Sequence, residues 1–186
     1  MQRLIDASKI STIDITGTTI FKITLQTQPV QTVAINVLVE GEHNEQIVLK
    51  TQQKNDTLFV GTAYQPLFVR PDDKLAANKK ISIELHLEIP ENLVVTVFSD
   101  IGSVSANGSY KYLTAELLNG HFVAQQFTGS LHVDTLHGNI QLETTAGNVK
   151  AHSKKGLVTS ETIPNGNNNI ELNSVGGNIT VSKTLK

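Results

Sequence analysis

Between Val95 and Val181 the chain alternates apolar and polar residues in short runs, and glycine punctuates those runs at a fixed interval. Gly120, Gly129, Gly138, Gly147 and Gly156 stand nine residues apart, and Gly102 lies eighteen before Gly120. After Gly156 the interval stretches, to ten at Gly166 and eleven more at Gly177. Counting each glycine as the first position, the third reads Phe122, Leu131, Ile140, Val149 and Val158. The fifth reads Ala124, Val133, Leu142, Ala151 and Ser160. The positions between them are polar except Val123. Alternation with period two predicts a strand of about five residues per unit. Glycine, often followed by Asn as in "HGNIQLETTAGNVKAH", then marks the turn, where a corner with positive φ is expected.

Strand, turn, strand and turn consume eighteen residues, the length of one coil with two faces. The prediction for residues 91–186 is a C-terminal parallel β-solenoid, β-helix or β-roll-like, of about four to five coils in a stack roughly 20 Å long. Stacking at eighteen gives one inward column of Val104, Phe122, Ile140, Val158 and Ile179. Facing it are Val95, Leu113, Leu131, Val149 and Ile170, with Val97, Ala115, Val133, Ala151 and Leu172 beside them. The extra residues sit in "PNGNNN" and "NSVGG", read as loop insertions. Ser160 breaks the pattern, because a buried hydroxyl needs a partner.

Residues 1–90 lack this period. "TIFKITLQTQ", "TVAINVLVEG", "QIVLKTQQ" and "TLFVGTAYQ" alternate and are separated by "PVQ", "EHNE" and "KND". They predict an N-terminal antiparallel β meander, sandwich-like, that caps the first coil, since a solenoid exposes raw strand edges at its ends. "RPDDKLAANKK" reads as a mobile polar connection, and "ISIELHLEIP" as a strand stopped by Pro90. The whole is expected to be all-β and one continuous folding unit. At the far end, after Ile179 and Val181, the lysines of "SKTLK" are expected to discourage edge pairing.

Composition narrows the function classes. The 186 residues include 15 basic and 17 acidic ones, for a net charge of −2, with no basic stripe, so nucleic acid is not an expected partner. No apolar run reaches the length of about 18 residues that a membrane helix needs, and no leader pattern opens the chain. There is no cysteine, which excludes disulfides and thiolate metal sites.

"ISIELHLEIPENLVVTV", followed by repeated Gly-Asn-Ile/Val units, resembles the bacterial putative adhesin domain family. The resemblance covers roughly residues 80–182 well and the remainder loosely. It implies an N-terminal β region joined to a repeat region, a place in the cell envelope or outside the cell, and a role in adhesion. Such proteins usually begin with an export signal, which this chain lacks, so a signal or lipid anchor removed from the native protein is one reading. The family carries no catalytic residues to transfer.

Candidate chemistry is sparse. The turns hold Asn, Ser, His and Lys where calcium-binding nonapeptide repeats hold Asp, so calcium is not expected there. On one outward face His132, Asp134 and His152 converge in the simple stacking and suggest a metal site. Lys150, predicted beside His132, argues against it in favour of charge pairs, Lys150 with Glu171 and Asp134 with His152. On the other outward face Glu143 and Glu161 stack at eighteen, the spacing of an acid–base pair in a polysaccharide-cutting enzyme, but with no supporting cleft. No nucleophile elbow or phosphate loop is present. That second face, rich in hydroxyls and amides, is the candidate ligand surface: Gln125, Gln141, Glu143, Thr159, Glu161 and Thr180, with Tyr110 and Tyr112 as candidate flanking platforms. The expectation is therefore a non-enzymatic, cofactor-free surface module that binds a glycan or surface polymer. A scaffold contacting another envelope protein is the alternative, and a carbohydrate-active enzyme is the third reading.

Overall fold

The structure is a computed structural model, and it describes residues 1–41, 44–66 and 81–184. It is all-β, apart from one 3-10 turn at Asn44–Gln46. Its strands form one mixed sheet that curls so that two walls face each other. The first wall runs, in spatial order, β1 (Gln2–Asp6), β4 (Thr32–Glu40), β7 (Ser82–Pro90), β3 (Lys22–Gln28), β9 (Ser103–Leu117), β10 (Phe122–Thr135), β11 (Ile140–Thr144), β15 (Ile179–Lys183) and β13 (Val158–Ser160). The second runs β5 (Ile47–Lys54), β6 (Thr57–Tyr64), β2 (Thr12–Thr16), β8 (Val94–Ser99), then β9 and β10 again, β14 (Asn169–Ser174) and β12 (Asn148–Ser153). The long strands β9 and β10 belong to both walls. The sequence predicts a five-residue strand on each side of a glycine, whereas these two continue through the corner.

The walls meet in one hydrophobic cluster that contains residues from both halves of the chain. Period-two alternation explains why. Each strand sends every second side chain inward, and the pairing aligns those side chains into columns. One column of the first wall passes from Arg3 through Ile35, Leu87, Leu25, Ala106, Ala124, Leu142 and Val181 to Ser160. Its counterpart passes from Thr51 through Val60, Ile15, Val97, Ala115, Val133 and Leu172 to Ala151. At the near end the Arg3 guanidinium donates to the Thr51 hydroxyl and bridges the two edge strands.

The expected antiparallel meander is corrected. Among the described residues only β5–β6 forms a hairpin between consecutive strands; β4 pairs antiparallel with β1 and β7 instead of β3. β2 and β3 join the repeat region by parallel pairing, Ile13 opposite Val95 and Ile23 opposite Val104. The reason is burial. β2 and β3 alternate as cleanly as the repeats, so the same inward column extends over them, and Ile13, Ile15, Ile23 and Leu25 are fully buried. "RPDDKLAANKK" lies outside the described residues.

From β8 to β11 parallel pairs follow the eighteen-residue offset: Val95–Leu113–Leu131 and Val104–Phe122–Ile140. The last two turns then exchange places. β14 lies between β10 and β12, and β15 between β11 and β13. The columns therefore end Leu131–Ile170–Val149 and Ile140–Ile179–Val158, not in sequence order. The segment that comes later in the chain is the more apolar, and it goes inside. Ile170, Leu172, Ile179 and Val181 are at most 1% exposed, whereas Val158 is 43% exposed and Ser160 is open to solvent. Burying an aliphatic side chain stabilises by about 1.5–3 kcal/mol, so the order that leaves Ala151 and Ser160 at the rim is favoured. Ser160 needs no buried partner there; its hydroxyl donates to the Glu161 carbonyl. The far edge of the molecule is consequently β12 and β13, not Ile179, Val181 and the tail.

The corner glycines are also explained differently from the expectation. Among described glycines only Gly41, Gly108 and Gly129 have positive φ. Gly102, Gly120, Gly138, Gly177 and Gly156 are needed because the turns stack backbone on backbone. A Cβ at Gly138 would lie 1.8 Å from the Gly120 carbonyl oxygen, and one at Gly177 1.9 Å from that of Gly138. Buried hydroxyls brace the same corner: Thr135 and Ser174 both donate to the Gly138 carbonyl, at 2.9 and 3.1 Å. The residue after each glycine completes the stack. Ser103 Oγ accepts from the His121 amide, His121 Nδ1 from Asn139, Asn139 Oδ1 from Asn178, and Asn178 Oδ1 from Leu157. This is the physical content of the Gly-Asn repeat.

Candidate functional site

The outward positions of the first wall form two rows at one strand spacing, about 4.8 Å. The first reads Thr24, Ser105, Val123, Gln141, Thr180 and Thr159. The second begins Gln26, Asn107 and Gln125 and ends with the pair Glu143–Ser182, Glu143 lying across from the Gln125–Gln126 bulge. Alternation places these side chains outward because their neighbours fill the core. Gln125, Gln141, Glu143, Thr159 and Thr180 therefore lie on this wall, with the exchange of Thr159 and Thr180 as the change in order, while Glu161 follows the end of β13 and stands in neither row.

Two shallow depressions mark the face. One, of about 260 Å³, is lined by Phe21, Lys22, Ser103, Val104, Ser105, Val123 and Gln125. The other, of about 320 Å³, is lined by His121, Val123, Asn139 and Gln141. They share Val123. The His121–Asn139 ladder fixes chemistry here. His121 Nδ1 and Asn139 Oδ1 are occupied as acceptors, which leaves the imidazole Nε2–H and the carboxamide NH₂ as oriented donors beside the Gln141 amide. Phe21, 58% exposed, supplies an apolar edge. Sequence reasoning passed over Phe21 and His121. The signal for Phe21 was an aromatic residue directly beside Lys22 in a chain with few aromatics; His121 stands where later turns carry Asn.

The tyrosine expectation is corrected. Tyr110 is buried, stacks on Phe127 with centroids 5.4 Å apart, and places its hydroxyl 3.2 Å from the Leu25 carbonyl and 3.1 Å from that of Asn107. Burial raises the phenol above its ordinary value, so it stays neutral. Tyr112 pairs with Val94 and Ser130 and faces outward on the second wall. The carboxylate pair is corrected too. β15 intervenes, so Ser182 pairs with Glu143, while Glu161 accepts the Lys183 amide at 2.7 Å. The carboxylates depressed below their usual range are Asp6, held by the Ser8 amide, and Asp56, held by the Ser11 hydroxyl; both lie in near-end turns.

On the second wall, β14 likewise separates the supposed metal ligands. Glu171, not Lys150, neighbours His132, and Asn173 stands between Asp134 and His152. His132 Nε2 lies 3.0 Å from Asp134 and Nδ1 3.6 Å from Glu171, while Asn173 donates to Asp134 at 2.9 Å. Among the described residues no His, Asp or Glu group is arranged to hold a metal ion. Lys150 and Glu171 are register partners, but Glu171 lies against His132 and no ion pair joins it to Lys150. A larger cavity of about 630 Å³, lined by Arg3, Thr18, Lys50, Phe59 and neighbours, lies at the near end away from both rows. No described helix is long and apolar enough to cross a membrane.

Comparison with known proteins bears on the fold. The chain is similar to a solved structure described as a putative cell adhesion protein from Clostridium sporogenes ATCC 15579, with TM-score 0.67 and 14% identity over 99% of both chains. A putative adhesin from Bacteroides fragilis NCTC 9343 aligns with TM-score 0.41 and 12% identity, over 99% of this chain and 96% of that one. The first likeness shows a shared fold. No family model and no curated protein matches the chain.

Proposed function

We propose that this protein is a non-enzymatic adhesion module of the bacterial cell envelope or exterior, and that the outer face of its first wall binds a glycan or other repeating surface polymer. The observation that carries the reading is the pair of hydroxyl and amide rows, repeated at one strand spacing, with an apolar notch at Phe21 and Val123 between them. A regular polymer can meet such rows with many weak hydrogen bonds, and a sugar ring can rest its C–H face on an aromatic edge. The shared fold with a structure described as a putative cell adhesion protein is consistent with the class, and we regard the repeat region as a short parallel β-solenoid with one inserted turn.

The test is a glycan and matrix-protein array, probed with the chain, with a Gln141→Lys/Thr180→Lys variant and with a second-wall control, Thr114→Lys. The reading expects hits that fall at least about ten-fold in the first variant and persist in the control. Hits unaffected by the double variant, or no hit for the folded chain, would overturn it.

A further inference from the structure

The two ends of the stack are finished differently. At the near end, Arg3 and Thr51 link β1 to β5 across the mouth of the core. At the far end, among the described residues, β12 pairs only with β14 and β13 only with β15, and the other edge of each has no strand partner there. Val149, Ala151 and Ile163 are half-buried against the core there, while Leu157 and Val158 are 76% and 43% exposed. β12 is six residues of regular strand, long enough to template another.

Charge says which strand fits. Residues 148–160, "NVKAHSKKGLVTS", carry Lys150, Lys154 and Lys155 and no carboxylate. None of the three lysines makes an ion pair among the described residues. Glu171, opposite Lys150 on β14, lies 3.6 Å from His132 Nδ1, and Glu161 accepts the Lys183 amide. A second copy docking edge to edge would bring these lysines together, which disfavours self-association. We propose that the β12 edge is a docking site for an extended acidic segment of another protein, added as a strand whose apolar residues continue the Val149–Ala151 row inward and whose carboxylates face Lys150, Lys154 and Lys155.

The test uses three synthetic probes of about seven residues each, a strand's length. One alternates Val and Glu, one alternates Val and Lys, and the third has the acidic composition with a central proline. Binding is followed by amide chemical shifts and hydrogen exchange of the full chain. The acidic probe should shift and protect residues 148–155 and bind at least about ten-fold tighter than either other probe. A Lys150→Glu/Lys154→Glu/Lys155→Glu variant, altered only on the surface, should prefer the basic probe. Equal binding of the acidic and proline probes would reduce the effect to charge and overturn strand addition. Shifts confined to the Gln141–Thr180 face, unchanged preference in the triple variant, or dimerisation of the chain through β12 would each contradict the proposal. The outer face of the first wall is not involved, so this outcome is independent of glycan binding.

Discussion

The two corners of the curled sheet solve the same problem in opposite ways. Where the chain passes from the second wall to the first, the turns share one plan: a Ser or Thr in four of five turns, buried in three and half-buried at Ser153, then a glycine stacked on a neighbouring turn, then, in four of five, a side chain that accepts the next amide. Where it passes from the first wall to the second, the crossings take three forms. β9 and β10 run straight through with Gly108 and Gly129 at positive φ, β11 turns at Gly147, and β13 leaves by the 161–168 insertion. The uniform corner aligns the strands of the repeat region. The variable corner is free to absorb insertions, and it is the one the chain uses to carry its last turn back inside.

Substitutions can break this contrast, and the largest effects belong to what the uniform corner aligns. Ile140→Asp buries an unpaired charge in the column and should cost about 4 kcal/mol or more, enough to unfold a marginal domain, whereas Gln141→Asp on the outer face should stay within about 0.5 kcal/mol. Equal melting temperatures for the two would show the inward and outward assignment to be wrong. Gly138→Ala should cost about 3 kcal/mol, since its Cβ meets a backbone oxygen that cannot move alone. Gly166→Ala, at the variable corner with contacts no closer than 3.1 Å, should cost less than about 1 kcal/mol. Denaturant midpoints of the two variants compare the corners directly.

Smaller effects probe the polar braces. Tyr110→Phe should lose about 1 kcal/mol at neutral pH. Burial raises the Tyr110 phenol in the folded state, so its stabilising share is complete below the ordinary tyrosine value near 10 and fades as pH climbs above it. The variant should lack that alkaline component; a parallel loss in both proteins would assign it elsewhere. Smallest is His121→Ala, which removes one acceptor from the corner ladder and should cost about 1 kcal/mol or less, read by faster exchange of the Asn139 amide.

How much of this could be read beforehand depends on what the pattern encodes. The inward columns of the repeat were legible residue by residue, because period two and an offset of eighteen fix which side chains share a face. The candidate face was legible for the same reason, since every outward residue follows from its inward neighbours. Strand order was not. Exchanging the last two turns leaves Val158 and Ile179, or Val149 and Ile170, in the same columns, so the alternation is blind to it. The one trace was Ser160, a hydroxyl out of place in a buried column and at ease on the rim. In the N-terminal half β2 and β3 alternate like hairpin strands, and nothing local says that their partners lie some eighty residues away. Gly129 does take the positive φ expected of it, but Gly120, Gly138 and Gly156 were misattributed, because a turn that needs positive φ and a turn that needs close stacking place the same residue in the sequence.

The inserted turn governs both the order of the binding rows and the identity of the exposed edge, so it is the point to test first. The chain has no cysteine, so engineered pairs report without background. Cα partners on adjacent strands lie within the range of about 4.4–6.8 Å that a disulfide spans. Under mild oxidation Gln141→Cys/Thr180→Cys should cross-link in the folded protein, and Gln141→Cys/Thr159→Cys should not. Cross-linking of the 141–159 pair, with the 141–180 pair left reduced, would restore the turns to sequence order and contradict the account.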